Sequence, residues 1–252
     1  MTLASILINQ EYYWIFLILL GLMAFLYASV GHGGASGYLA VLAIFGANPS
    51  LMKSSALVLN LAVSILSFYQ YYRSGNFKFK LFLPFAIGSI PMAYVGAITP
   101  ISDDIYKKIL GFALIIAILR ILISFKSDES KIKNPQLWQS LLTGGIIGLL
   151  SGMIGIGGGI ILSPIMLLFN WGRVKEVAAV SALFIFVNSF SGLIGLLSKG
   201  YKPEAEIYNW ILIAIISGFA GGYLGSKKFN NNTLKVILAL VLVVASVKLI
   251  LT

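Results

Sequence analysis

The chain has 252 residues and no cysteine, is 59% hydrophobic and only 10% charged, and carries a formal charge of +10. A soluble domain carries about 25% charged residues, and no soluble fold of this length has interior enough to hide so much apolar surface, so the lipid bilayer is the expected solvent. A disulfide framework or thiolate metal site is excluded, and no stretch between apolar runs is long enough to fold into the basic face that nucleic-acid binding needs.

Apolar runs fall at 12–30, 38–46, 54–72, 79–99, 104–125, 137–154, 160–169, 177–198, 207–224 and 232–251. Crossing a bilayer as a helix takes about 20 residues. Six runs approach that length without a glycine cluster. The other four form two pairs, in each of which a long run meets a run of 9 or 10 residues at a cluster: Gly31-His32-Gly33-Gly34 in the first, Gly155-Ile156-Gly157-Gly158-Gly159 in the second. The first run follows Glu11 and no basic residue, so no cleavable signal peptide is expected. Trp14, Trp138, Trp171 and Trp210 all stand near run ends, where an interfacial aromatic belt would place them.

The two halves repeat. Gly31, Gly33 and Gly34 match Gly155, Gly157 and Gly158 at an offset of 124, Ser55-Ala56-Leu57 matches Ser181-Ala182-Leu183 at 126, and Tyr94 and Gly96 match Tyr223 and Gly225 at 129. Lys107, Ile109, Leu110 and Arg120 match Lys235, Ile237, Leu238 and Lys248 at 128. The expected organisation is a first membrane repeat over 1–126, a cytoplasmic connecting loop over 127–136 and a second membrane repeat over 137–252, together one transport domain.

Loop charge orients the repeats. If each glycine-broken pair enters and returns to one side, loops 73–80, 126–136, 170–176 and 225–235 share that side with 11 Lys and Arg, against 5 in loops 47–53, 100–108 and 199–206. If each pair crosses once, the loop charges divide equally. The first arrangement obeys the positive-inside rule. Each half is then a re-entrant helix pair plus three transmembrane helices. Three crossings are odd, so the second half is inserted upside down. The expected fold is all-α, an integral membrane inverted repeat of two such halves.

Three or four glycines within five residues weaken helix and leave backbone N–H groups free. In lipid such backbone survives only where protein or a water-filled cavity receives it. Single glycines such as Gly21, Gly111, Gly148 and Gly195 serve close helix packing. After each cluster a short helix begins, near Ser36 and near Ile160. Its N-terminus carries free donors and about half a positive charge, which favours anions. Two such ends meeting near the midplane make an anion site that needs no Lys or Arg. Arg120 and Lys248, the basic residues set deep in runs, lie near helix ends, where snorkelling is expected.

The segment Gly155-Ile-Gly-Gly-Gly-Ile-Ile-Leu-Ser-Pro164, set in two four-part halves, resembles the TauE/SafE family of membrane permeases, and the resemblance covers essentially the whole chain. The first half departs from the motif at His32, Ala35 and Ala40, which align with Ile156, Gly159 and Pro164. The resemblance implies transport of a sulfur-containing or organic anion such as sulfite, a sulfonate or sulfoacetate.

The candidate substrate-binding residues are Gly31, His32, Gly33, Gly34, Ser36, Tyr38 and Asn60 in the first half and Gly155, Gly157, Gly158, Gly159, Ser163 and Asn188 in the second. Ser29 and Ser151 also flank the breaks. Asn60, Asn188, Ser55 and Ser181 could instead bond neighbouring helices. His32 is the chain's single histidine; its open roles are capping the break, touching substrate, and proton coupling, since its pKa falls in the physiological range. None of the eight acidic residues lies in the body of a run, so paired carboxylates, His–carboxylate couples and metal-ligand spacings are absent. No enzyme activity and no cofactor are expected. The expected function is transport of a small anion across a cell membrane by alternating access, with a passive anion channel as the alternative and a membrane-embedded scaffold or enzyme behind it.

Overall fold

A computed structural model describes residues 10–29, 33–122, 132–201, 206–225, 243, 246 and 247. Nine helices of ten residues or more are present among them: α1 (Gln10–Ser29), α2 (Ala35–Ile44), α3 (Pro49–Arg73), α4 (Phe79–Ile98), α5 (Asp103–Leu122), α6 (Leu137–Ile154), α7 (Gly159–Leu168), α8 (Val174–Ser198) and α9 (Glu206–Gly225). No strand occurs among the described residues. Among the described residues, four helices are long and apolar enough to cross a membrane: α3, α4, α6 and α8.

Helix starts and stops follow local chemistry. Asn48 caps α3, its Oδ1 accepting from Leu51 N–H at 2.8 Å, and Pro49 supplies the fixed φ of a first helical residue. At α6, the Gln136 N–H donates to Gln139 Oε1 at 2.9 Å, and at α8 the Arg173 N–H donates to Glu176 Oε2 at 3.0 Å. Each contact satisfies the backbone donor at its helix start. Beyond α7, Asn170 takes a left-handed φ of 54°, a conformation that asparagine tolerates better than most residues.

The chain segments on either side of the α6–α7 pair meet. Lys133 N–H, before α6, donates to the Asn170 carbonyl, after α7, at 2.9 Å. Among the described residues, α4 packs on α6 and α8, α9 on α1 and α3, α2 on α3, α7 on α8 and α3 on α8, while α5 contacts α2, α3, α6 and α7. The α4–α6 contact runs backbone to backbone. A Cβ on Gly88, Gly96, Gly144, Gly148 or Gly152 would stand under 3.0 Å from a carbonyl oxygen of the facing helix. Bare Cα atoms at intervals of four residues let the two axes approach this closely. Gly195 of α8 is equally tight against Ala97 of α4.

The core lies at the α1–α2–α3 and α4–α7–α8 contacts. The outer surface is apolar as well: Ile18, Phe112 and Phe219 are each more than 60% exposed. An outer surface that apolar fits hydrocarbon rather than water.

Candidate functional site

The second glycine cluster separates α6 from α7, and the end of the first lies directly before α2. Gly34 immediately precedes α2 with φ 86°, and Gly158 precedes α7 with φ 78°; neither helix start has a side-chain cap. The first-turn N–H groups of both helices are therefore left for other acceptors. Gly157 also has positive φ, 74°, and a Cβ there would meet Ile185, Asn60 and Ser189 at 2.8, 3.0 and 3.1 Å. A Cβ on Gly33 would meet Ile185 at 3.2 Å and Ser64 at 3.6 Å. Both clusters thus converge on one side chain, Ile185 of α8, which also lies against Gly159.

Polar groups from the middle of α3 and α8 surround this meeting point. Asn60 Nδ2 donates to Ser189 Oγ at 3.4 Å. Asn60 Oδ1 and Ser64 Oγ are buried and have no hydrogen-bond partner among the described residues, and the same holds for Ser151 Oγ and the Tyr38 hydroxyl. Buried polar atoms normally have partners, and these four stand without one beside two uncapped helix starts. Tyr38 stands over Gly34, and Ser151 over Gly158.

Other candidates serve structure locally. Ser36 hydrogen-bonds the Tyr27 hydroxyl. Ser163 Oγ donates to the Gly159 carbonyl at 2.9 Å and lies 2.8 Å from Ser181 Oγ. Asn188 Nδ2 donates to the Phe184 carbonyl one turn back at 2.8 Å, although its Oδ1 has no partner among the described residues. Gly155 lies against the Lys53 backbone. Gly31 and His32, together with the Ser29 side chain, lie outside the described residues.

Asn60 and Asn188 occupy similar places in their halves, but their offset of 128 is two residues from that of the neighbouring Ser-Ala-Leu match, and the helix registers also separate them. Asn60 and Ile185 each stand 11 residues after the first residue of α3 and α8, and Ser64 and Ser189 each stand 15 after it. Counted from the helix starts, Asn60 corresponds to Ile185 and Ser64 to Ser189, an offset of 125 that differs by one from the Ser-Ala-Leu match on the same helices. The site has one amide and one aliphatic side chain at equivalent positions. Sequence reasoning missed Ile185, Ser64 and Ser189; the one available signal was Ser64 lying one helical turn beyond Asn60.

Lys53 is a second omission. It lies inside α3, 8% exposed, and its ammonium donates to the Ala97 carbonyl near the end of α4 at 2.9 Å. The expectation that Arg120 and Lys248 are the deep-set basic residues is corrected here: an apolar flank of Leu51 and Met52 carries Lys53 into the protein. Nearby, Tyr106 of α5 donates its hydroxyl to the Ile154 carbonyl, the last residue of α6, at 3.1 Å. No group of three or more metal-ligating side chains occurs among the described residues.

The family model for the sulfite exporter TauE/SafE matches residues 15–249. The chain is 34% identical over 233 residues to "Probable membrane transporter protein y4hK" of Sinorhizobium fredii, covering 90% of this chain and 94% of that one. It is 27% identical over 254 residues to "Probable membrane transporter protein YjnA" of Bacillus subtilis, covering 93% and 98%. No solved structure matches. A match across nearly the whole length, on a helical frame whose spans are apolar on the outside and polar where the glycine clusters meet, assigns the chain to the TauE/SafE family of membrane transporters.

Proposed function

We propose that the protein moves a small anion across a cell membrane by alternating access, holding it between the two glycine clusters near the membrane midplane. The observation that carries this reading is the convergence of Gly33 and Gly157 on Asn60, Ser64, Ser189 and Ile185, with uncapped helix starts and unpartnered buried polar atoms around them. Helix N-termini favour negative charge, and no ligand cation is required beside them. The family description names sulfite, and the proposal extends to other sulfur-containing or organic anions such as a sulfonate or sulfoacetate.

The framework of this proposal is an inverted repeat of residues 1–126 and 137–252 about the loop 127–136. Two observations support it. Among the described residues, the contacts within and between α1–α4 and α6–α9 come in corresponding pairs, and α3 packs on α8. The Lys133–Asn170 bond brings both ends of the α6–α7 pair to one side, as a re-entrant hairpin requires. Two related bundles rocking about a fixed midplane site is a recurring way to alternate access. His32, adjacent to the first cluster, is the group proposed to couple transport to protons.

The test is a thermal-shift screen of the purified chain against sulfite, sulfate, thiosulfate, sulfonates and carboxylates. Binding to the folded state raises the melting temperature, by about 2.7 kcal/mol of stability at a hundredfold excess over Kd. Stabilisation by one anion class, and saturable counterflow of that anion in proteoliposomes, is the expected result. Non-saturating flux would identify a channel, and indifference to every anion would end the reading.

A further inference from the structure

A cleft of about 520 Å³ opens between the first turns of α4 and α6, away from the glycine site. Its cause lies in the packing. The backbone contact of these helices begins at Phe85 with Gly144 and at Gly88 with Leu141. Before that level, Pro84 on α4 and Ser140 on α6 replace glycine, and the helices part. The walls are Leu81, Pro84 and Ser140, and the mouth carries Lys78, Lys80 and Asn134. Lys78 is held 2.7 Å from Glu176. No carboxylate among the described residues pairs with Lys80.

The surroundings of the mouth are apolar. Phe79, Leu137 and Trp138 are each about 60% exposed beside it, and the Trp138 indole N–H is turned to Gln136 Oε1 at 2.6 Å. An exposed tryptophan with a tethered polar edge is what the boundary between headgroups and hydrocarbon accommodates. The lysines also belong to loops on the side rich in Lys and Arg. The cleft therefore presents one ammonium group held by Glu176 and one free of carboxylate partners among the described residues at its mouth, beside an apolar surface suited to acyl chains.

We propose that this cleft binds the phosphate headgroup of an anionic phospholipid, with Lys80 as its principal cation and the acyl chains lying along the Phe79 and Trp138 surface. Basic pockets between transmembrane helices suit such headgroups, and each lysine near a membrane surface contributes about fivefold in affinity for an anionic lipid. This site is independent of the anion held at the glycine clusters.

The experiment is native mass spectrometry of the purified full chain titrated with phosphatidylglycerol or phosphatidylcholine, for the wild type and for Lys80→Gln, Asn134→Trp and the control Lys199→Gln. Asn134→Trp fills the mouth without altering charge, at an exposed position where folding is not at stake. Lys199 is exposed at the end of α8. The expected result is a preference of the wild type for phosphatidylglycerol that falls about fivefold in Lys80→Gln and in Asn134→Trp and is unchanged in Lys199→Gln. Equal affinity of the wild type for both lipids would overturn the proposal, as would an equal loss in Lys199→Gln, which would reduce the effect to net charge. Retained preference in Lys80→Gln would also sink it. Inorganic phosphate forms a further arm: a melting-temperature rise from phosphate alone, dependent on Lys80 and equal to that from phosphatidylglycerol, would assign the cleft to a soluble anion and overturn the lipid.

Discussion

Asn60 and Ser189 face each other across the crossing of α3 and α8, the amide nitrogen 3.4 Å from the hydroxyl oxygen, with Gly157 in contact with both. Each residue comes from a different half of the chain, and their shared neighbour is the bare backbone of a helix break. Replacing Asn60 by Leu keeps the branched shape of the side chain and removes its amide. The expected outcome is at least a tenfold loss of anion affinity, about 1.4 kcal/mol, since a hydrogen bond to a charged group contributes about 1.5–3 kcal/mol. Isothermal titration with the best anion from the screen measures it. Unchanged affinity in Asn60→Leu would move the anion away from Gly157.

The two glycine clusters differ in how they fail. Gly157 has positive φ and a Cβ there would meet Ile185, Asn60 and Ser189 at 3.1 Å or less, whereas Gly33 is outside the left-handed region and a Cβ there would meet the Ile185 and Ser64 side chains at 3.2 Å or more. Gly157→Val combines a left-handed backbone, costing about 1–2 kcal/mol, with a clash, and should both abolish binding and lower the melting temperature. Gly33→Val should abolish binding while the protein still purifies as a monodisperse species with a melting temperature close to wild type. Normal binding in Gly33→Val would make the site one-sided.

Helix contact α4–α6 predicts a pair with opposite outcomes on one helix. A Cβ on Gly152 would press on the Ala93 carbonyl at under 3.0 Å, and one on Gly145 would have 3.6 Å of room. Overpacking costs about 1–3 kcal/mol, so Gly152→Ala should lower the melting temperature by several degrees, and Gly145→Ala should leave it in place or raise it slightly. Equal melting temperatures would mean that the backbone contact can relax freely.

Lys53 and Ala97 form the next testable contact. The buried ammonium satisfies a carbonyl near the C-terminal end of α4, where a positive charge is favoured. Lys53→Met keeps the stem and strands the Ala97 carbonyl, with an expected loss of about 1–3 kcal/mol in stability. Chemical denaturation in detergent reads this directly. A variant as stable as wild type whose anion affinity has fallen would instead place Lys53 on the transport path.

Membrane topology can be read without background, because the sequence has no cysteine. Single cysteines at Ser74, Ser130 and Ser198 are probed in intact cells with an impermeant maleimide. Labelling at 198 and protection at 74 and 130 is the expected pattern for the inverted repeat with 11 basic loop residues inside. Equal or reversed labelling would refute that orientation.

Composition alone placed the chain in a bilayer, because apolar surface of this extent has no other solvent. The helix end at Ile154 and the new start at Gly159 were also legible, since a glycine cluster weakens helix wherever it stands. What surrounds the breaks was not. Asn60 and Asn188 occupy similar places in their halves, yet helix register equates Asn60 with Ile185 and aims Asn188 at its own helix. Ile185 stood unmarked in an apolar run, and Lys53 in a loop. Each helical residue turns the side-chain direction by about 100°, so a shift of a few positions between repeats redirects a side chain from the neighbouring helix to another face. Local sequence fixes where a helix begins and ends. Which of its faces meets the partner is decided only when α3 crosses α8 and both glycine clusters close on Ile185.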